Sequence, residues 1–301
     1  MDATIAVVSF NVAPLLERCL ESARAALHES GGGQLLVVDN ASLDDSVSLV
    51  RERFPEATLI VNDANAGFGA ACNQALGAAQ TEALLFLNPD AELSTGALAA
   101  LLDRLTREPS AALVGPRVTY PDGRPQPTRR RFPTPTVLFL ESTPLEWRGP
   151  SWPALAAYYR DGAPEVASKE SWVSGACLLG RIPALREVAG FDPAFFMYFE
   201  EVDLCRRLAS RGWGTWYEPA AHALHHHSQS ADQDVREKDR RYFRSKYRYA
   251  ERYFGRSTGR LLRLSAGVQF AAEAALQRRR GDDLLAQRYR ALARWHFRAE
   301  P

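Results

Sequence analysis

The chain has 301 residues, of which 46% are hydrophobic and 24% are charged. This composition is ordinary for a soluble globular protein and excludes a collagen-like, wholly disordered or disulfide-scaffold chain. The formal net charge of +1 hides an uneven distribution, because residues 231–301 contain 18 Lys and Arg against 9 Asp and Glu. An acidic body therefore precedes a basic C-terminal segment.

The sequence also indicates a cellular compartment. Residues 1–4 lack the basic n-region of a signal peptide, and no apolar run approaches the roughly 18–20 residues of a membrane span. The four cysteines are scattered, without a Cys-x-x-Cys pair. We expect a cytoplasmic protein with reduced thiols.

Strands and helices alternate through the first 90 residues. Four short apolar runs predict strands, at 5–10, 35–39, 58–61 and 84–87. Helical patterns separate them; Ser42 is the expected N-cap of the second helix, and a glycine-containing turn opens the third near Gly67. The alternation predicts a mostly parallel sheet with helices on both faces.

Polar residues follow each of these strands. Asn11, Asp39–Asn40, Asn65 and Asp90 come directly after the four apolar runs. In open sheets of this type, ligands bind at the carboxyl ends of the strands. We therefore expect these side chains to form one site.

The second half of the chain is less regular. Residues 120–170 read as loops with a little helix, and their arginine triplet 129–131 is either a solvated charge run or a mobile clamp on an anion. Further elements are expected at 172–179, 182–188, 202–208, 213–217 and 221–225. Beyond Ser230 the chain is expected to be helical and basic.

The first motif combines Asp39–Ser42, Asn65–Gly69 and Asn73. A carboxylate at a strand end can accept hydrogen bonds from a base or ribose, and glycines before a helix let backbone N–H groups approach a diphosphate. Asx-turns and helix caps are the structural alternative for any single residue. Neither the dinucleotide-binding Gly-x-Gly-x-x-Gly pattern nor a P-loop is present.

Two further motifs carry acids. Asn88–Glu92 places carboxylates at a strand end, which suits Mg²⁺ or Mn²⁺ on phosphate oxygens, although Asn-Pro-Asp is also a common turn. Phe195–Leu204 sets Glu200, Glu201 and Asp203 beside four aromatic residues. Apolar walls raise the pKa of an acid and tune it for general-base work, whereas a simple acidic helix start is the alternative.

The last motif is the histidine run 225–227. On a strand, at most two of the three side chains share a face, and one could contact a metal or a phosphate. A zinc hydrolase is an alternative function, but His-Glu-x-x-His and Cys/His ligand spacings are absent.

Taken together, the motifs resemble family 2 glycosyltransferases with the GT-A fold, in their rhamnosyltransferase-like branch. The matching pieces run in order from residue 4 to about 230: 7–11, 37–42, 65–73, 87–90, 115–123, 131–134, 172–176, 190–192, 195–207, 212–213 and 219–225. The resemblance implies an α/β GT-A fold with a Rossmann-like mixed sheet and a helical C-terminal extension. It divides the chain into a catalytic domain, 1–230, and an extension, 231–301. Within the catalytic domain, residues 1–118 would bind the nucleotide sugar and residues 119–230 would bind the acceptor.

The resemblance also implies an activity. It predicts inverting, metal-assisted transfer of a sugar, with rhamnose as the guess, from a dTDP-, UDP- or GDP-sugar to a glycan or lipid-linked acceptor in cell-envelope polysaccharide synthesis. Asp39 would contact the base, and Asp90 with His225 would hold Mg²⁺ or Mn²⁺. Glu201 would be the general base, in a Glu200–Glu201 pair that replaces the family's Glu-Asp.

The remaining expected site residues follow from the same resemblance. Asp203 joins Glu200 and Glu201 as a catalytic candidate, and Trp172, Gly175 and Ala176 would shape the acceptor subsite. The donor-binding candidates are Ser9, Asn11, Asp39, Asn40, Asn65, Gly67, Phe68, Asn73, Asn88, Asp90, Arg129 and Arg131. Because Asn88 and Glu201 depart from the usual acids, an inactive sugar-nucleotide-binding protein is the second hypothesis.

The basic tail allows two interpretations. Residues 236–263 interleave Arg and Lys with aromatic and Leu residues, so the segment could lie on the anionic inner face of the plasma membrane. Packing onto the acidic body is the alternative. Residues 265–276 read as a buried helix. Nucleic-acid binding is not expected, because no recognition motif is present.

Overall fold

The computed structural model describes residues 1–148, 152–159, 164–226 and 235–298. The first half alternates strands and helices, as predicted. These elements are β1 (Ala3–Ser9), α1 (Ala13–Glu29), β2 (Gln34–Asp39), α2 (Ser46–Arg53), β3 (Thr58–Val61), α3 (Phe68–Ala78), β4 (Ala83–Leu87), β5 (Ala91–Leu93) and α4 (Ala97–Arg107).

The second half starts with a long strand and continues with shorter elements. They are β6 (Ala111–Thr119), β7 (Arg129–Arg130), α5 (Pro135–Leu140), α6 (Pro144–Arg148), α7 (Pro153–Tyr158), β8 (Ser168–Glu170), β9 (Trp172–Val173), β10 (Cys177–Arg181), α8 (Ile182–Glu187), α9 (Glu200–Ser210) and β11 (Gly214–His225). Three long helices follow: α10 (Val235–Phe254), α11 (Arg256–Arg279) and α12 (Asp283–Phe297).

A mixed sheet organises the described residues of the first 230 positions. Its strand order is β3-β2-β1-β4-β10-β6-β11-β5, and β8 pairs with β11. The first four strands are parallel, whereas β10 runs antiparallel to both β4 and β6. Strands β1, β2 and β4 are almost entirely buried, because helices cover both faces, α1 and α4 on one and α3 on the other.

Contacts within the chain divide it into two compact units. The sheet unit comprises 1–130 and 161–241, and the helical unit comprises 131–160 and 242–301. Residues 131–160 thus cluster with the C-terminal helices, whereas the sequence assigned them to the acceptor region of the catalytic domain. The expected boundary at 230/231 lies outside the described residues, and the functional domain limits remain a prediction.

The helical unit has an aromatic core. Phe243, Tyr247 and Phe270 are buried around His296, whose ring stacks on Phe270 at 5.4 Å between centroids. The Tyr247 hydroxyl lies 2.9 Å from His296 Nδ1. Burial lowers the pKa of His296 to about 3, so the imidazole is neutral and packs as an aromatic ring. Within the described residues, no helix combines the length and apolarity that a bilayer crossing requires.

Two local predictions were wrong. Ser42 is not a helix N-cap, because α2 begins only at Ser46, after Asp45. The two strands expected at 213–217 and 221–225 form one strand, β11, which continues through a register shift between Glu218 and His222. The described part of 120–170 contains three short helices with Pro at or near their first positions, which agrees with the expected loops and a little helix.

Candidate active site

The carboxyl ends of the parallel strands open into one cavity of about 600 Å³ within the sheet unit. Four of its lining residues come after β2, β3 and β4. These four are Asn40, Asn65, Asn88 and Asp90. Three of them belong to the strand-end set predicted from the sequence, whereas Asn11 and Asp39 of that set do not line the cavity. The same cavity is lined by Glu200, Glu201 and His225, so groups from distant regions of the chain face one space.

One end of the cavity is an amide network after β2 and β3. Asn40 donates to Asn65 Oδ1 at 2.9 Å and accepts from the backbone N–H of Ala66 at 3.0 Å. Asp39 Oδ1 accepts from the backbone N–H of Ser42 at 2.9 Å. Its Oδ2 is buried and has no hydrogen-bond partner among the described residues. Asp39 does not line the cavity, so its contact with a donor base remains a prediction.

Several donor-binding candidates shape this end without lining the cavity. Ser9 is fully buried at the end of β1, and its carbonyl accepts from Asn40 N–H at 2.8 Å. Asn11 Oδ1 accepts from the backbone N–H of Leu43 at 2.7 Å. Asn73 exchanges two hydrogen bonds with the backbone of Phe191. These contacts hold the strand-end loops in place, and direct donor contact by these residues remains a prediction.

Gly67 and Phe68 bring the third strand-end loop onto the loop before α9. A Cβ on Gly67 would lie 2.6 Å from the Phe196 carbonyl oxygen, and the residue has a φ of +87°. Any other residue would therefore clash and adopt a strained backbone. The Phe68 N–H donates to the same carbonyl at 2.9 Å, and the Phe68 ring lines the cavity.

Strained backbone surrounds the cavity. Asn11, Ala41, Tyr198 and Phe199 have positive φ values of 53°, 68°, 68° and 64°. Each such non-glycine residue costs on the order of 1 kcal/mol or more, and strain of this kind concentrates at functional sites. The consecutive pair at 198–199 turns the chain directly into Glu200 at the start of α9.

Asp90 and His225 lie side by side in the cavity lining. His225 Nε2 lies 3.2 Å from Asp90 Oδ1 and 3.4 Å from Asn88 Nδ2. Gln126 fixes the other side of the ring: its Nε2 donates to the His225 carbonyl at 2.8 Å, so its Oε1, 3.0 Å from Nδ1, faces the imidazole as an acceptor. This contact favours the proton on Nδ1 and directs Nε2 toward Asp90 and Asn88 in the cavity.

These residues fit a hard divalent cation. A carboxylate and an imidazole nitrogen are donors that Mg²⁺ and Mn²⁺ accept, and such ions keep positions for phosphate oxygens and water. Over the described ranges, no cluster of three or more His, Cys, Asp or Glu side chains is placed to hold a metal. Asn88 stands where the resemblance expects the other acid, so phosphate and water would have to complete the shell.

Glu200, which is buried, and Glu201, which is half-buried, form an acidic pair in the cavity lining. Burial, and next the charge of Glu201, raise the pKa of Glu200 well above its usual range. Burial also raises the pKa of Glu201, but Arg130 and backbone N–H groups favour its ionised form. The Oε2 atoms of both residues are buried and have no hydrogen-bond partner among the described residues. The pair is therefore available to a substrate, and Glu201 is the member that ionises more readily.

Asp203, the third acidic candidate, is absent from the cavity lining. Its Oδ2 accepts from Arg207 Nε at 2.7 Å, and Arg207 also donates to the carbonyls of Val188 and Gly190. This geometry ties α9 to the loop after α8. It favours a structural role over the catalytic role that the sequence suggested.

The three arginines at 129–131 lie in three different surroundings. Arg129 lies over the Tyr217 ring at 4.4 Å and 4.0 Å from Glu170, away from the cavity lining. Arg130 lines the cavity and lies 5.2 Å from the Trp172 ring centroid. Arg131 falls in the helical unit, where its backbone N–H donates to the Tyr158 carbonyl. Donor binding by Arg129 and Arg131 remains a prediction, for which the position of Arg129 is unfavourable.

The expected acceptor residues all line the cavity: Trp172, Gly175 and Ala176. A Cβ on Gly175 would lie 3.6 Å from Glu201 Cβ, so this glycine lies directly against the candidate base. Residues that sequence reasoning missed also line the cavity, notably Gln126, Lys238 and Arg241. In the sequence these residues are marked only by their polar side chains, because it is the pairing of distant parts of the chain that brings them to the cavity.

Comparison with known proteins identifies the family. The model of Glycosyl transferase family 2 matches residues 4–188. The chain belongs to glycosyltransferase family 2. N-acetylglucosaminyl-diphospho-decaprenol L-rhamnosyltransferase of Mycobacterium tuberculosis is 33% identical over 244 residues, covering 76% of this chain and 78% of that protein. Rhamnosyltransferase WbbL of Escherichia coli is 44% identical over 55 residues, 18% of this chain and 21% of that protein.

Solved structures of glycosyltransferases share the fold. A mannosyltransferase from Pyrobaculum calidifontis, solved with GDP-Man and Mn²⁺, aligns with a TM-score of 0.57 at 17% identity, covering 99% of this chain and 88% of that one. GalNAc-T7, solved with UDP, GalNAc and Mn²⁺, also has a TM-score of 0.57, at 13% identity, covering 75% of this chain but only 44% of that one. This protein therefore has the GT-A fold, and it is a glycosyltransferase.

Proposed function

We propose that this family 2 enzyme transfers a sugar, rhamnose in our assignment, from a nucleoside-diphosphate sugar to a hydroxyl of a lipid-linked glycan, with inversion at C1. The observation that carries the proposal is the convergence of Asp90–His225 and Glu200–Glu201 on one cavity. The rhamnosyltransferase of M. tuberculosis, similar over 76% of this chain, supports the choice of sugar and acceptor class.

The donor would bind across the carboxyl ends of β1 to β4. Asp39 Oδ2 would accept a hydrogen bond from the base, because it is buried and has no partner among the described residues. The diphosphate would extend toward Asp90 and His225. Lys238 and Arg241, which line the same cavity, would add positive charge near the phosphates.

Asp90 and His225 would hold Mg²⁺ or Mn²⁺ against the diphosphate. When bound, the ion neutralises charge that develops on the leaving group. Both glycosyltransferase structures described above were solved with Mn²⁺, which supports a divalent ion without deciding between the two. Gln126 would keep His225 in the ligating tautomer.

Glu201 would act as the general base. The acceptor oxygen forms a bond to C1 while the bond from C1 to the diphosphate oxygen breaks, and its electron pair leaves with the nucleoside diphosphate. The hydroxyl proton passes to the Glu201 carboxylate. The pKa of Glu200 is raised by burial and by Glu201, so it retains its proton more readily and leaves Glu201 as the anionic member. A single displacement of this kind inverts C1.

We further propose that the protein works in the cytoplasm, at the inner face of the membrane that carries its acceptor. A lipid-linked acceptor requires such contact. The inactive, nucleotide-binding alternative rests on Asn88 and Glu201, which replace usual acids. It is less well supported, because Glu201 lies in the cavity and Gln126 aligns His225 beside Asp90.

A transfer assay tests the proposal. The protein is incubated with Mn²⁺, polyprenyl-diphospho-N-acetylglucosamine and, in separate reactions, dTDP-rhamnose, UDP-sugars or GDP-sugars. We expect a new glycolipid with dTDP-rhamnose, with inverted anomeric configuration by NMR, and loss of transfer on chelation. Transfer from another donor alone would overturn the rhamnose assignment. Neither transfer nor donor hydrolysis with any donor would favour the inactive alternative.

A further inference from the structure

The basic segment that the sequence offered to a membrane has buried and exposed parts. Phe243, Tyr247 and Tyr249 of α10 are at most 3% exposed and belong to the core of the helical unit. By contrast, α11 leaves two leucines at the end of that basic segment open to solvent, and also Val268, which lies in the 265–276 stretch that was expected to be buried. Leu261, Leu264 and Val268 are 66%, 52% and 61% exposed.

These side chains share one side of α11. Positions 261, 264 and 268 follow a spacing of three and four, which places them in a row along a helix. We name this side the outer face of α11. Its residues, all exposed, are Arg260, Leu261, Leu264, Val268, Ala271, Ala272, Ala275, Arg278 and Arg279.

Charge on the outer face is uniformly positive. Arginines stand at both ends, Arg260 at one and Arg278–Arg279 at the other, separated by about 27 Å at 1.5 Å per residue. The one acid of α11, Glu273, is buried on the opposite side. The apolar row between the arginines is aliphatic and offers no polar group that would orient a specific protein partner.

A groove beside this face adds two more arginines. Arg278 and Arg279 of α11 face Arg290 and Arg294 of α12 around a cleft of about 640 Å³ with an alanine floor. Phe297, 49% exposed, stands at the same cleft. An apolar floor with arginine walls matches a phosphate headgroup above acyl chains.

We propose that the outer face of α11 and its arginine groove dock onto an anionic lipid bilayer. Leu261, Leu264 and Val268 enter the boundary between headgroups and acyl chains, and the arginines contact lipid phosphates. A flat anionic surface satisfies both charged ends at once, whereas a protein partner would need acids at matched positions about 27 Å apart. The inference rests on the membrane contact proposed above and names the surface that makes it.

Vesicle co-sedimentation of the full chain tests this docking. We expect the wild-type protein to bind vesicles containing phosphatidylglycerol and to bind pure phosphatidylcholine vesicles at least tenfold more weakly. The double variants L264E/V268E and R278E/R279E should each lower binding to anionic vesicles about tenfold or more. Matched controls are V166E and R51E, which change an exposed valine and an exposed arginine of the sheet unit and should leave binding unchanged.

Other outcomes would overturn the proposal. Vesicle binding that the outer-face variants leave intact would exclude this surface. A concentration-dependent dimer in analytical ultracentrifugation that L264E/V268E abolishes, without vesicle binding, would assign the face to a second copy of the chain. Donor hydrolysis should be equal in all these variants, which verifies folding. Conversely, E201Q should bind vesicles normally and lose transfer, so retained transfer with intact vesicle binding would count against the proposed function alone.

Discussion

Replacing Glu201 with glutamine removes the proposed proton acceptor and keeps the shape of the side chain. General-base catalysis contributes roughly 10²–10⁴-fold to a rate, which corresponds to about 3–5 kcal/mol of activation free energy. We therefore expect Glu201→Gln to lower kcat by that factor with little change in donor affinity. Glu201→Asp withdraws the carboxylate by about 1.5 Å, and a displacement of that order costs about 10²-fold.

The stability of the same variant separates catalysis from misfolding. Burial raises the pKa of Glu201, so above the ordinary pKa the folded state holds more protons than the unfolded state, and the free energy of unfolding falls as pH rises through that window. Replacement by glutamine removes this loss of stability with pH. It also removes the charge that raises the pKa of Glu200. At pH 7.5 we expect Glu201→Gln to be at least as stable as wild type.

Initial transfer rates and urea unfolding at pH 5.0 and 7.5 measure both effects. Glu52→Gln, an exposed glutamate of α2, is the matched control and should change neither quantity by more than about 0.5 kcal/mol. The assignment of the base is refuted if Glu201→Gln keeps more than a tenth of the wild-type kcat. Lost activity together with lost stability would indicate a structural role instead.

Three further predictions follow from single contacts. Gln126→Leu removes the hydrogen bonds that orient His225 and should weaken Mn²⁺ binding about 10–100-fold. Calorimetry with a nucleoside diphosphate present measures this affinity, and an unchanged affinity would contradict the positioning role of Gln126. The added methyl group of Gly175→Ala fits without a clash but covers one side of Glu201. The KM for the acceptor should therefore rise, while the KM for the donor and the Tm stay constant. A lower Tm would refute this prediction. Burial lowers the pKa of Lys246 to about 8, so the contribution of this residue to the free energy of unfolding should rise by roughly 3 kcal/mol between pH 8 and 10.5. Urea titrations of Lys246→Met should lack that rise. Parallel pH profiles of the variant and the wild type would contradict this prediction.

The regions of the fold that local signals specify were predictable from the sequence. Each of β1 to β4 is a short apolar run bounded by polar or turn residues, and both signals lie within a few residues. Because parallel strands end at the same edge, the residues after them were expected to share one site. Asn40, Asn65 and Asp90 do line one cavity.

Features that depend on long-range pairing were not predictable. Arg130 reaches the cavity because β7 pairs with β9, which sets it opposite Trp172, 42 positions along the chain. Its neighbour Arg129 points to Tyr217 for the same geometric reason, since successive strand residues face opposite sides. Composition alone did not distinguish the two.

The tail shows a related limit. An amphipathic pattern identifies the apolar side of a helix, but it does not show whether that side packs against protein or against lipid. The aromatic residues of α10 are covered by the helical unit itself, with Phe243 packed on Phe270. On α11 the buried side consists of small residues together with Leu262, Phe270 and Glu273, which leaves Leu264 and Val268 outside. Assigning these faces required the packing of α11 against α12.

The central claim is that Asp90, at the end of β4, anchors the diphosphate of a nucleotide in the cavity that also holds Glu201. Calorimetric titration of dTDP, UDP and GDP, with Mn²⁺ or with a chelator, tests it most directly. We predict that the preferred nucleotide binds with Mn²⁺, and that Asp90→Asn weakens binding at least tenfold while Asp103→Asn, on the exposed surface of α4, does not. Equal affinity in Asp90→Asn and wild type would contradict the account.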